Sequence, residues 1–441
     1  MKADLQMFSR VALRNISRHW KRSLAAILSL ASGFAAINLF EGYIADVEHV
    51  FSETYSKRLM YGDILIQRKE TLTDGLEEGE RLIRQEDQHQ LEEILEKSKM
   101  VNNSVRFLNI TGLVSNGSAT SVFRGLGYDV DAGLKMREPN WSWNALAGIP
   151  LDQGVRNPQN ILIGQGLGRI LDCSPTSRPK EMTFLNGYSR ESRPIVCKTS
   201  ELELNVTSGT GQMNATNVHV HGMIDAVYRE FDARYIAMSL EKAQALLNTS
   251  GVSLYSVRLK DSSDAKKFIS YLSEEFTRKN LSLKAFKWQN HSFGGLYVQS
   301  IDFLNVFRDF TLIVVLIIIS LSVLSQLMRL VQERTREIGT LRCLGYMPHQ
   351  IRSLFLIEAF FLSIFGSALG ALLTVVLAPA MNSLGILYKV GILSEKIPFR
   401  ISIVGVNFGM SAFVLTAIAM GAATIAILRA LRKSIPDALM H

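Results

Sequence analysis

Apolar residues concentrate in a few long runs, and the polar stretch between the first two runs alternates at the short period of strands. The first run, 23–43, predicts a transmembrane helix. Residues 301–330 predict a stalk continuous with a second span, as one helix over Leu296–Leu330. Two further spans are expected at 354–377 and within 401–428, separated by an outer loop at 378–400. Ahead of the first span, Leu5, Phe8, Ala12 and Ile16 recur at helical spacing among Lys2, Arg10, Arg14, Arg18, Lys21 and Arg22, against a single acid, Asp4. Residues 1–22 therefore predict an amphipathic helix on the membrane surface. A signal peptide is the competing reading, but the basic region is long, Ser23–Tyr43 is of spanning length, and no Ala-x-Ala site follows.

Residues 44–300 hold most of the polar mass and no further spanning run. Val47, Val50, Phe51 and Tyr55 continue the helical period outward as a stalk. Strands are expected at Gly62–Gln67, Phe107–Val114, Ala119–Phe123, Glu201–Val206 and Val218–Ile224. Asn116-Gly117 marks a hairpin turn. Glu80–Met100 is charged and helical, Ile161–Gly164 leads into a short helix, and Leu240–Leu247 predicts another. Ser253–Leu259, Ser263–Lys279 and Leu283–Lys287 form a β-α-β unit. Ser174–Pro194, with Pro175, Pro179 and Pro194, reads as an irregular loop. The fold class is an α+β membrane protein: four transmembrane helices, with a large mixed α/β extracytoplasmic domain, in two lobes, inserted between helices 1 and 2.

Charge sets the expected topology. The net charge is +8, and much of the Lys and Arg flanks the apolar runs, so membrane topology explains it better than nucleic-acid binding. Arg329, Arg334, Arg336, Arg342 and Arg352 crowd the loop 331–353, and Arg429, Arg432 and Lys433 mark the tail 429–441. Both are expected in the cytoplasm. Three cysteines are few. Pairing Cys173 with Cys197 would lower unfolded-state entropy by ~3 kcal/mol; the alternative is two unrelated thiols.

The loop itself carries a recognisable run. Glu333-Arg-Thr-Arg-Glu-Ile-Gly-Thr-Leu-Arg-Cys-Leu-Gly345, followed by Gln350-Ile351 and Glu358-Ala359, closely resembles the signature of FtsX-type permeases. That family includes MacB-type exporters, lipoprotein-releasing (Lol-type) permeases and FtsX itself. The resemblance implies an ABC-transporter membrane subunit, not itself an enzyme, working by mechanotransmission. The loop would be a coupling helix docking on a separate ATPase dimer through Glu333, Arg334, Arg336, Glu337, Gly339, Leu341, Leu344 and Gly345. ATP and magnesium would belong to that partner, with no cofactor in this chain. A short surface helix is expected within it, with Ile338, Leu341 and Leu344 on one side, Gly345 as its stop and Pro348 opening the next helix. Ala12-Leu13-Arg14-Asn15 and Tyr61-Gly-Asp-Ile-Leu-Ile66 look most like lipoprotein-releasing permeases. Expected partners are a second copy or paralogue, membrane lipids and a lipoprotein substrate. The expected location is a bacterial inner membrane with both termini cytoplasmic. The alternatives are an FtsX-like regulator of a cell-wall hydrolase and MacB-like export of another substrate.

Other motifs carry less. Gly164-Gln-Gly-Leu-Gly168 lacks the Lys and spacing of a phosphate-binding loop and predicts a turn before a helix. His219-Val-His221 would place two imidazoles on one strand face, but without a third ligand nearby it predicts no metal site. No nucleophile elbow is present, and Asn109, Asn205, Asn214 and Asn248 match the glycosylation pattern by chance. Ser363, Gly366, Gly370 and Thr374 put small residues on one helix face, for packing within or between subunits. Glu358 is an intramembrane charge, which pairs either with an inner-face Arg or near the ATPase contact.

Overall fold

The computed structural model describes residues 2–18, 20–69, 82–153, 157–183, 189–199, 201–209, 211–388 and 396–432. The chain begins with α1 (Lys2–Arg18) and α2 (Trp20–Glu53), and a π-helical turn, Thr54–Arg58, follows. Next come β1 (Ile64–Arg68), α3 (Gln85–Lys97), β2 (Val101–Ser115), β3 (Thr120–Tyr128) and α4 (Val130–Arg137). β4 (Ala147–Gly148), β5 (Asn160–Gly164) and α5 (Gln165–Ile170) precede four short strands, β6 (Cys173–Pro175), β7 (Lys180–Thr183), β8 (Ser189–Ser192) and β9 (Ile195–Cys197). After β10 (Leu202–Thr207) and β11 (Met213–Ile224) lie α6 (Arg229–Asp232), β12 (Tyr235–Ser239), α7 (Leu240–Leu247), β13 (Leu254–Leu259), α8 (Ala265–Arg278) and β14 (Leu283–Lys287). The rest is helical: α9 (Gly295–Glu333), α10 (Thr335–Cys343), α11 (Pro348–Ser383) and α12 (Gly405–Leu431).

Two compact units result. One comprises Met1–His49, Ser300–Leu387 and Pro398–His441; the other comprises Val50–Gln299 with Tyr388–Ile397. The expected boundary at residue 44 thus falls later, and residues 389–395 of the expected 378–400 loop lie outside the described residues. α11 also runs on through Pro379 to Ser383 instead of stopping at 377.

The helical unit holds helices long and apolar enough to cross a membrane, on Ser23–Arg58, Gly295–Glu333, Pro348–Ser383 and Gly405–Leu431. α9 measures about 58 Å at 1.5 Å per residue, about twice the hydrocarbon thickness. The core of this unit joins Leu30 and Phe34 of α2, Val323 and Leu327 of α9, Phe355 and Leu362 of α11, and Leu415 and Ala423 of α12. α1 does not simply lie on a surface. Its Ala12 and Ile16 are buried, and it packs along α11. Residues 433–441 of the expected tail, Lys433 included, lie outside the described residues.

The sheet unit is built on one ten-stranded sheet. Six of its strands close a ring: β2 pairs β3, β3 pairs β12, β12 pairs β5, β5 pairs β11, β11 pairs β10, and β10 returns to β2. At the closure a Cβ on Gly112 would stand 2.2 Å from the Asn205 carbonyl oxygen, so only glycine lets the two backbones meet there. The other half of β2 pairs β13. β1 lies antiparallel between β13 and β14, so the expected β-α-β unit is a split one, with β1 inserted between its strands. α8 covers it through Phe268, Leu272 and Phe276, and α3 contributes Leu91, Ile94 and Leu95. All these residues share one buried cluster with Ile110, Val114, Phe123, Ile163 and Ile236. The expected two lobes are therefore one unit, because β2 is common to both halves. The predicted irregular loop Ser174–Pro194 instead carries strands β7 and β8 in a separate hairpin.

Near β1, the His291 imidazole stacks on Phe286 at 5.4 Å and its Nε2 lies 3.0 Å from Gln67 Oε1. Burial pushes this imidazole down to about 4. Its folded pKa thus lies below the unfolded value of about 6.5. The associated stability is complete above pH ~6.5 and is lost as the pH falls towards 4, where the unfolded chain takes up the proton first. Thermal melts of the full chain between pH 7 and 4.5 should show this loss, and His291→Asn should flatten that part of the profile. An unchanged profile in His291→Asn would refute the assignment.

Candidate functional site: the α9–α10–α11 elbow

The loop between α9 and α11 folds as a short helix because its polar and apolar residues separate. Arg334 leaves the helical conformation (φ −100°, ψ 13°) and so divides α9 from α10. The Thr335 hydroxyl donates to the Gln332 carbonyl at 2.7 Å. At the far end, Gly345 adopts φ +87°, and its N–H and that of Tyr346 donate to the carbonyls of Arg342 and Leu341. A side chain at Gly345 would strain this left-handed stop. Gln350 Oε1 then accepts from the Met347 N–H at 2.9 Å, and Pro348 opens α11.

The expected apolar side of this helix does not face outward as a unit. Ile338 is 2% exposed, and Leu341 is half-buried against the same core. Gly339 is buried, while Glu333, Arg336, Glu337, Leu344 and Gly345 are exposed. Leu344, at 71% exposure, is the apolar side chain that this helix end presents. Arg334, expected on the docking face, is 4% exposed. Its Nη1 donates to both Glu358 oxygens at 2.9 Å, and Glu358, ten residues into α11, is 1% exposed. Of the two expectations for Glu358, the geometry gives the Arg pair. A bare carboxylate at this depth demands a cation; that demand is visible in the sequence, but which arginine answers it is set by the break between α9 and α10.

The small-residue face of α11 packs within the chain. A Cβ on Gly366 would stand 2.5 Å from Leu30 Cβ, and one on Gly370 would stand 2.6 Å from Phe34 Cβ and 2.7 Å from the Ala31 carbonyl oxygen. Ser363 Oγ lies 2.8 Å from the Phe360 carbonyl oxygen and 3.0 Å from Thr416 Oγ1, so its one hydroxyl hydrogen is shared between α11's own backbone and α12. Thr374 Oγ1 folds back on the Gly370 carbonyl at 2.9 Å. Sequence reasoning missed two further ties: Ser29 and Ser322 share a 2.8 Å hydrogen bond between α2 and α9, and Arg308 lies 3.9 Å from Glu41. Hydroxyls and charges at matching depth on neighbouring apolar runs were the available signal.

The remaining candidates lie in the sheet unit. Cys173 and Cys197 are disulfide-bonded across the paired strands β6 and β9. At Gly164–Gly168, the Asp232 carboxylate accepts from the Gln165 and Gly166 N–H groups, so a side chain occupies the place a phosphate would take. β11 has a bulge between Val220 and Gly222, which interrupts the alternation that would align His219 with His221. Among the described residues no group of three or more His, Cys, Asp or Glu side chains is placed to hold a metal.

Residues 310–435, which contain this elbow and α11 and α12, match the family model of the FtsX-like permease C-terminal domain. This part of the chain is thus similar to the C-terminal domain of FtsX-like permeases. Similar solved structures include the extracellular domain of the noncanonic ABC-type transporter YknZ from Gram-positive bacteria (9% identity, 51% of this chain and 98% of that one, TM-score 0.31). Others are the periplasmic region of MacB from Actinobacillus actinomycetemcomitans (9% identity, 55% and 92%, TM-score 0.31) and a domain of a putative permease protein from Porphyromonas gingivalis (12% identity, 51% and 86%, TM-score 0.26). No curated protein sequence matches the chain.

Two stability measurements check the elbow. Arg334→Met should cost about 3–5 kcal/mol by leaving a buried carboxylate unpaired, and Arg334→Met with Glu358→Leu should recover most of it. Denaturation in mild detergent reads both; a harmless single substitution would disprove the buried pair. Gly370→Ala should lower the melting temperature, whereas Gly421→Ala, where nothing lies within 4 Å, should leave it unchanged or slightly higher.

Proposed function

We propose that the chain is the membrane subunit of an ABC-type transporter working by mechanotransmission, with ATP hydrolysed by a separate partner. The observation that carries this reading is α10. It exposes Arg336 and Glu337, with Leu344 exposed directly after it, its N-terminal boundary is clamped to α11 by Arg334 and Glu358, and it lies inside the segment matching the FtsX-like family. An exposed helix with a fixed base can receive a push without simply swivelling. α9 and α11 leave this elbow as long unbroken helices, suited to passing displacement along their axes.

The charges support an orientation. Arg329, Arg336, Arg342, Arg352 and Arg429 stand at the elbow end of the helical unit, against Arg308 and Arg400 at the other. The elbow end would then be cytoplasmic, and Val50–Gln299 extracytoplasmic. Four spans are few to enclose a conventional pore, so a second copy or a paralogue completes the permease. Release of lipoproteins is the substrate class we favour, on the resemblance of Ala12–Asn15 and Tyr61–Ile66 to lipoprotein-releasing permeases.

Purification from its native membrane should bring down a nucleotide-hydrolysing partner. Glu337→Ala with Leu344→Asp should release that partner or uncouple its ATP hydrolysis from lipoprotein release by at least tenfold. Full transport by this variant, or the absence of any ATPase in the complex, would sink the proposal.

A further inference from the structure

α1 has one face committed and another open. Ala12 and Ile16 are buried, and Ile16 joins the core shared with Ile351 and Phe355 of α11. At about 100° per residue, Arg10, Arg14 and Arg18 project from the side opposite that face. All three guanidinium-bearing residues are exposed. Val11 and Leu13, 39% and 41% exposed, flank the row on either side. Packing on α11 therefore fixes the roll of α1 and holds an arginine row, bordered by apolar side chains, away from the bundle.

The surroundings intensify the charge. Between residue 1 and residue 40 the sequence contains a single acid, Asp4. Arg352, one residue beyond the buried Ile351, is exposed at the same end, as are Arg329 and Arg429. Glu333 and Glu337 are the exposed acids near α10. Trp20, 58% exposed, opens α2 directly after this row, just ahead of the apolar helix segment that begins at Ser23.

We propose that α1 is a docking strip for anionic phospholipid headgroups. Arg10, Arg14 and Arg18 take the phosphates, while Val11 and Leu13 sit among the glycerol groups and the first acyl carbons. Charge complementarity selects an anionic partner. The apolar flanks select a lipid over a soluble acidic protein, because a row lying between aliphatic side chains at the end of spanning helices meets the leaflet edge. Binding would hold α1 against α11, and so would brace the helix that carries Glu358. This inference needs the spanning helices but not an ATPase partner.

The test uses the full chain with Cys343→Ser and Leu13→Cys, labelled at residue 13 with a polarity-sensitive fluorophore. It is reconstituted into vesicles of phosphatidylcholine with rising fractions of phosphatidylglycerol. Emission should shift to the blue as phosphatidylglycerol rises, and high salt should reverse most of the shift. Arg10→Gln, Arg14→Gln and Arg18→Gln together should lose at least half of it, with an unchanged melting temperature, while Arg429→Gln should keep it. Equal emission in both lipids overturns the proposal, and so does a shift that survives the triple substitution. A shift that appears only when a soluble acidic protein is added overturns it in favour of a protein partner.

Discussion

A carboxylate buried ten residues into an apolar helix has to be answered by a cation, and that requirement organises the elbow. Glu358 draws Arg334 inward. To reach it, Arg334 sits where the backbone breaks between α9 and α10. The break turns α10 so that Ile338 points into the core while Glu337 and Leu344 stay outside. Desolvating two charges is costly, and an apolar pair of similar volume would hold the helices as well or better. What the ion pair adds is a specific partner, since Glu358 holds Arg334 through both carboxylate oxygens on Nη1.

Higher in the same unit, contact comes from the absence of side chains. Gly366 and Gly370 bring α11 against Leu30 and Phe34 of α2 at distances that no Cβ would allow. Hydroxyl pairs, Ser29 with Ser322 and Ser363 with Thr416, add polar ties at separate depths. In a bilayer the hydrophobic effect gives little preference for helix over lipid, so close approach and hydrogen bonding carry the association. The unit thus has a charged clamp at one end and tight apolar packing along its length.

How much of this was legible in the sequence follows from the range of each interaction. Spanning runs, the split β-α-β elements and the α10 stop at Gly345 are written in local periodicity and in residues with restricted backbones, and Leu240–Leu247 is a helix with the expected bounds. The small-residue face announced close packing but not the partner, since Leu30 and Phe34 lie more than three hundred residues earlier. Glu358 announced a need for a cation without naming it. The strands inside Ser174–Pro194 were hidden because prolines and serines there permit hairpins as readily as loops. The fully buried pair of Arg137 and Asp152 at 3.0 Å had no local signal, and neither did the closure of β10 on β2, which joins strands far apart along the chain.

The placement of β1 also constrains how the protein is made. Ile64, Leu65 and Ile66 are wholly buried, yet both strands that flank β1 come from the far end of the sheet unit. During synthesis this sticky segment emerges early and stays without its neighbours until Leu259 and then Lys287 have followed. Late assembly of an apolar strand invites mispairing and aggregation. The sheet unit therefore cannot close around β1 until its last strands have emerged, so slowed elongation should harm it sooner than it harms the bundle.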